Sequence, residues 1–227
     1  MTDAPKRVLL LVGSPKGNGS TSEALGTYLL EQLEGQGVET EVARIVPFLR
    51  SEEGRNKLLH SVAGADLLIL ASPLYADSLP SGVTRLFEII GAEGKERPGF
   101  SETGFATVIN CGFPEARQCD TAIAICRCFA KEAGMEWMGG LVLGGGESIG
   151  GRPLREAGGV ARNARKALDL AAAALAGGRQ VPDEAVSLMA KQTVSPWLYT
   201  VIGDIGWRLR ARKHKAGKRM KDRPYLP

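Results

Sequence analysis

Residues 13–22 read Gly-Ser-Pro-Lys-Gly-Asn-Gly-Ser-Thr-Ser, and a segment with helical spacing opens directly behind them. Three glycines let the backbone come close to a ligand. Ser14, Ser20, Thr21 and Ser22 offer hydroxyls, Asn18 an amide and Lys16 a positive charge. Beside the unpaired amides of a helix N-terminus, such groups make a phosphate cradle. A capped helix after a polar turn is the plainer alternative. The loop contains neither a Gly-Lys-Ser/Thr signature nor G-x-G-x-x-G, which argues against a nucleoside triphosphate site and a Rossmann-type dinucleotide site.

Two further stretches offer chemistry. Ala71-Ser72-Pro73-Leu74-Tyr75-Ala76-Asp77-Ser78-Leu79-Pro80 holds two prolines that stiffen a loop, and Tyr75 gives it an aromatic plane with a hydroxyl tip. A flat heterocycle could lie there, and a buried structural tyrosine would read the same way. Asn110-Cys111-Gly112-Phe113-Pro114-Glu115 follows an apolar run, where Gly112 can present a backbone amide. Cys111 reads either as a reactive thiol or as a small apolar residue at a strand end. All four cysteines, Cys111, Cys119, Cys126 and Cys128, lie within eighteen residues. Their spacing lacks the paired knuckles of a zinc site and a disulfide framework, so reduced thiols and no metal are expected. Cys119, Cys126 and Cys128 are expected on the buried face of a helix. The stretch 144–151 is so rich in glycine that a mobile loop is expected, one able to close over a ligand but fixing no chemistry by itself.

These loops need elements to hold them. Unbroken apolar runs at Arg7–Val12, Glu39–Ile45, Asp66–Ala71, Phe105–Asn110 and Met138–Leu143 read as strands covered on both faces. Helical spacing falls between them, at Ser22–Gln36, Gly54–Ala63, Ser81–Gly91 and Cys119–Ala133, and again at Arg155–Ala176. Leu25, Leu29, Leu30 and Leu33 form the apolar stripe of the first helix; Val160, Ala164, Leu168, Ala171 and Leu175 form that of the last. Five alternations of strand and helix predict an α/β fold, a doubly wound five-stranded parallel sheet. Ligands of such sheets bind beyond the carboxyl ends of the strands. That is where the three loops above fall.

Taken together, GSPKGNGST at 13–21 and SPLY at 72–75 resemble the flavodoxin-like NADPH-dependent FMN reductases and related NAD(P)H-dependent flavin oxidoreductases. The resemblance covers about residues 7–176. It implies FMN as cofactor, with its phosphate on Ser14, Lys16, Asn18, Ser20, Thr21 and Ser22 and its ring along Pro73, Leu74, Tyr75 and Gly112. It implies NADPH or NADH as electron donor and a small acceptor such as a quinone or free flavin. The hydride chemistry belongs to the cofactor, so no side chain is assigned as catalytic. Lys16 stands where the family usually has arginine, which keeps the charge and loses the bidentate fork. Some relatives carry an iron–sulfur cluster on cysteines after the second strand; Pro47-Phe48-Leu49-Arg50-Ser51 holds none, and no cluster is expected here. A flavodoxin-like electron carrier and a flavin-binding regulatory or interaction protein are the alternatives.

With 227 residues, 44% of them hydrophobic and 24% charged, the chain suits one domain with an appendage. The domain is expected over 1–180 and a C-terminal helical basic extension over 181–227, with 177–185 as linker. Net charge is +4, yet residues 181–227 hold ten basic and four acidic side chains, so the body is slightly acidic. The basic balance belongs to the tail, a nucleic-acid binder wants a basic face on the fold itself, and no nucleic acid is expected as partner. In the extension, Trp197, Leu198, Val201, Ile202, Ile205 and Leu209 recur at helical spacing ahead of a run of arginines and lysines. That pattern suits docking on the body, joining a homodimer, or peripheral contact with an anionic membrane. The apolar run Val8–Val12 is too short for a signal peptide and nothing reaches the length of a membrane span, so a soluble cytoplasmic protein is expected.

Overall fold

The computed structural model describes residues 3–16, 18–93, 103–192 and 195–223. It divides into two compact units, residues 1–192 and 193–227.

The first unit is built on five parallel strands: β1 (Arg7–Val12), β2 (Glu39–Arg44), β3 (Leu67–Pro73), β4 (Gly104–Asn110) and β5 (Glu136–Leu143), in the order β2-β1-β3-β4-β5. The helices are α1 (Thr21–Glu34), the short α2 (Ile45–Phe48), α3 (Glu52–Ala63), α4 (Ser81–Glu93), α5 (Asp120–Glu132), α6 (Arg162–Leu175) and α7 (Asp183–Met189). β1 shows why its residues are apolar without alternation. Val8, Leu10 and Val12 pack with α1 and α6, while Leu9 and Leu11 pack with α3 and α4 on the opposite face. Fully burying one such leucine contributes about 1.5–3 kcal/mol. β2 is an edge strand, and its ETEVAR sequence leaves charged residues at the rim. Behind β4, Phe87 stacks on Phe129 at 3.7 Å between ring centroids, and Phe105 meets both edge-on.

All five expected strands form within two residues of their expected ends. The last helix begins later than expected: α6 starts at Arg162, after a 3-10 turn at Gly158–Ala161. The stretch before it contains Pro153 and Gly158, whose φ of +64° belongs to a turn. Residues 181–192, placed in the extension by the sequence, pack into the first unit. Val181 donates its N–H to Met138 O at 2.8 Å, and Ala185 and Met189 are fully buried. That approach depends on Gly139, which has φ +117° at a β-bulge in β5. A Cβ there would come 2.8 Å from the Val181 side chain.

The second unit is helix α8 (Pro196–Lys213), capped by Ser195, followed by a 3-10 turn at Gly217–Arg219. Several of its large apolar residues are exposed, Trp197 at 74% and Ile202 at 57%. Among the described residues, no helix is long and apolar enough to cross a membrane.

Candidate functional site at the carboxyl end of the sheet

The loop after β1 ends in an N-cap. Ser20 Oγ accepts from Glu23 N at 3.1 Å, and Ser20 O accepts from Ala24 N, which seals the first turn of α1. Helix geometry leaves the amides of Thr21 and Ser22 without an intrahelical acceptor. Ser14 is buried and accepts from Lys16 N at 3.3 Å, while Lys16 and Asn18 are exposed. Gly17 lies outside the described residues. Glu23 Oε2 accepts from Gly19 N at 2.9 Å, and its other oxygen pairs with Arg44 at the end of β2. The loop is therefore tied both to its own helix and to the neighbouring strand.

The remaining hydroxyls link this loop to its neighbours. Ser22 Oγ donates to Asn110 Oδ1 at 2.6 Å, and Thr21 Oγ1 donates to Gly146 O at 3.0 Å. Asn110 O in turn accepts from Leu74 N at 2.8 Å, so one residue at the end of β4 touches the loops after β1 and β3. The loop after β5 is held as firmly. Gly145 N donates to Phe113 O, Gly146 N to Cys111 O, and the Arg152 guanidinium to the carbonyls of Ser148 and Ile149. Residues 144–151, expected to be mobile, form a turn tied by these hydrogen bonds. At Gly151, with φ +74°, a Cβ would stand 1.8 Å from Gly19 O, so the two loops meet backbone against backbone.

The loop after β3 presents Tyr75 rather than burying it. Tyr75 and Ser78 exchange two backbone hydrogen bonds around Ala76 and Asp77, whose φ values of +46° and +58° match a type I′ hairpin turn. Tyr75 is 49% exposed. A cavity of about 320 Å³ lies beside it, lined by Pro15, Leu49, Arg50 and Pro80 among others. At Gly112 an added Cβ would meet only Glu147 Oε1, at 3.8 Å. Among the described residues beyond its chain neighbours, no other atom lies within 4 Å of that position.

Cys111 is buried at the end of β4, with Sγ donating to Phe113 O at 3.4 Å. A hydrogen bond from Cys119 holds the Cys111 thiol below its ordinary range against the opposing effect of burial, and the same contact pushes the Cys119 thiol up. Burial pushes Cys126 up to about 12. Cys128 departs from the buried position expected of it: it sits on the outer face of α5 and is exposed.

The fold thus brings the loops holding Ser14–Ser22, Pro73–Tyr75 and Gly112 to one end of the sheet. The sequence reading missed Glu23, Arg44 and the Asn110 side chain. The Ser20-x-x-Glu23 spacing of a capping box was a legible signal for the first of these. Arg44 and Asn110 become visible only through strand register, since Arg44 pairs with Val12 and Asn110 with Pro73.

Residues 6–112 match the sequence profile of the NADPH-dependent FMN reductase family. No curated protein matches the chain. Among solved structures, RosB with a bound 8-demethyl-8-formylriboflavin-5'-phosphate intermediate shares the fold at a TM-score of 0.57 and 15% identity, over 97% of this chain and 90% of its own. The Trp repressor binding protein from Bacillus subtilis gives 0.53 and 14% identity, over 71% of this chain and 95% of its own. An azoreductase from Bacillus anthracis str. Sterne gives 0.50 and 14%, over 74% and 99%.

Proposed function

With residues 6–112 belonging to the NADPH-dependent FMN reductase family, and the chain thereby an FMN oxidoreductase supplied by NAD(P)H, we propose that it passes those electrons to a small acceptor such as a quinone or free flavin. The observation that supports this reading is the extent of the family match. It contains the Ser14–Ser22 and Pro73–Tyr75 stretches and reaches Gly112, which the fold gathers at one end of the sheet.

The residues fit the cofactor. Thr21 and Ser22 offer helix N-terminal amides to a phosphate dianion, Ser20 keeps its own hydroxyl proton to donate, and Lys16 adds a charge. Pro73, Leu74 and Tyr75 give a ring a stiff apolar edge, and the Gly112 amide offers it a hydrogen bond. Bound FMN supplies hydride acceptance from the nicotinamide and electron delivery to the acceptor. The protein orients and desolvates; no side chain is given an acid or base role. Tyr75, exposed on its hairpin turn, faces the solvent side from which donor and acceptor would come. A homodimer is the oligomeric state we propose, with the cytoplasm as its compartment.

Titration with FMN and with riboflavin tests the phosphate part of this assignment. FMN should bind far more tightly. Ser14→Ala, which removes a hydroxyl whose own proton is free to reach the phosphate, should cost about 1.5–3 kcal/mol of FMN binding and leave riboflavin affinity nearly unchanged. Equal affinity for the two flavins would remove the loop from the site.

A further inference from the structure

The second unit combines two features. Along α8, Trp197, Leu198, Val201, Ile202, Ile205 and Leu209 recur at three and four residue intervals and so share one helix face. Trp197, Leu198, Ile202, Ile205 and Leu209 are all exposed. Arg208 and Arg212 continue the same spacing, so the apolar face runs into guanidinium groups at its C-terminal end.

Beyond the helix the chain doubles back. Lys215 takes a left-handed backbone with φ +56°, and Ala216 N donates to Ala211 O at 2.7 Å. Lys215, Lys218 and Lys221 thereby join Arg208 and Arg212 around an open hollow of about 970 Å³, whose lining holds a single acid, Asp204, paired with Arg208 at 2.9 Å. Residues 195–223 carry nine basic and two acidic side chains.

We propose that α8 and the turn after it bind the surface of an anionic bilayer, with lipid phosphates in the basic hollow and the apolar face in the acyl boundary. Each feature needs the other in this role. Tryptophan and aliphatic residues gain from the headgroup boundary, and adjacent cations gain from anionic lipid there. A second copy of the helix fits poorly. A parallel pair sets cations against cations, and an antiparallel pair sets Arg208 and Arg212 against the partner's apolar end. A nucleic acid would satisfy the hollow and leave the apolar face in water.

The test is co-sedimentation of the full chain with sucrose-loaded vesicles, either phosphatidylcholine alone or phosphatidylcholine with phosphatidylglycerol. The protein should pellet with the anionic vesicles only and come off in high salt. Joint replacement Arg212→Ala, Lys215→Ala and Lys218→Ala should lower the partition coefficient by about 100-fold. Ile202→Asp with Ile205→Asp should abolish pelleting while circular dichroism shows the fold unchanged. Absence of pelleting, equal pelleting on both vesicle types, or full retention by the triple alanine variant would overturn the proposal. So would displacement of the vesicles by stoichiometric inorganic phosphate at constant ionic strength, which would assign the hollow to a free ion. A drop in molecular mass of the double aspartate variant in vesicle-free light scattering would assign the apolar face to a second copy.

Discussion

Ser22 Oγ donates to Asn110 Oδ1 at 2.6 Å across the sheet, joining the first turn of α1 to the end of β4, and both residues are buried. A buried bond of this kind costs little when made and much when half removed, because the surviving partner loses water without gaining a replacement. Ser22→Ala should therefore destabilise the protein by about 1–3 kcal/mol in urea unfolding. A double-mutant cycle with Asn110→Ala should give a coupling energy well above zero; additivity of the two losses would show that the bond contributes nothing.

The contact between Gly19 and Gly151 makes a sharper distinction. Gly151→Ala meets Gly19 O at 1.8 Å, so the phosphate loop must shift and FMN affinity should fall by at least about tenfold. Gly145→Ala is the control: its φ of +66° is comparable, yet nothing lies within 4 Å of the added Cβ. That variant should lose about 1 kcal/mol of stability from backbone strain and keep its affinity. Equal affinity losses in the two would show that strain rather than loop contact matters.

The cysteines give a pH dependence. Cys126 rises from its ordinary 9.0 to about 12 because burial penalises the thiolate. The unfolded chain therefore releases this proton first as pH rises. The stability contributed by the neutral buried thiol is complete below pH 9 and is lost between pH 9 and 12. At pH 10 the loss should be about 1 kcal/mol. Cys126→Ala should flatten that segment of the stability curve relative to wild type. At neutral pH, Ellman's reagent should label Cys128 quickly in the native protein and the other three thiols only on unfolding.

Much of this architecture is legible in the sequence because buried parallel strands leave unbroken apolar runs. Arg7–Val12 is recovered residue for residue. What stayed hidden depends on contacts between distant segments. Nothing local marks Asn110 as the acceptor for Ser22, 88 residues away. Glycine density at 144–151 does not show the carbonyls of Cys111, Phe113 and Gly19 that this stretch meets. Cys128 looked like its buried neighbours in composition, but two residues beyond Cys126 a helix has turned its side chain to the opposite face. The docking of residues 181–192 is hidden for a similar reason: Val181, Ala185 and Met189 are apolar in a polar stretch, and only Gly139 reveals where they dock.

The central claim is that FMN held by this chain takes hydride from a nicotinamide cofactor and hands electrons to a small acceptor. Anaerobic titration of the FMN-loaded protein with NADPH and with NADH, followed by the flavin absorption, tests it most directly. At least one of the two should bleach the yellow colour within seconds, and added quinone or free flavin should restore it. Persistence of the oxidised spectrum for minutes with both donors in excess would contradict it, and would leave an electron carrier or a flavin-binding regulatory protein in its place.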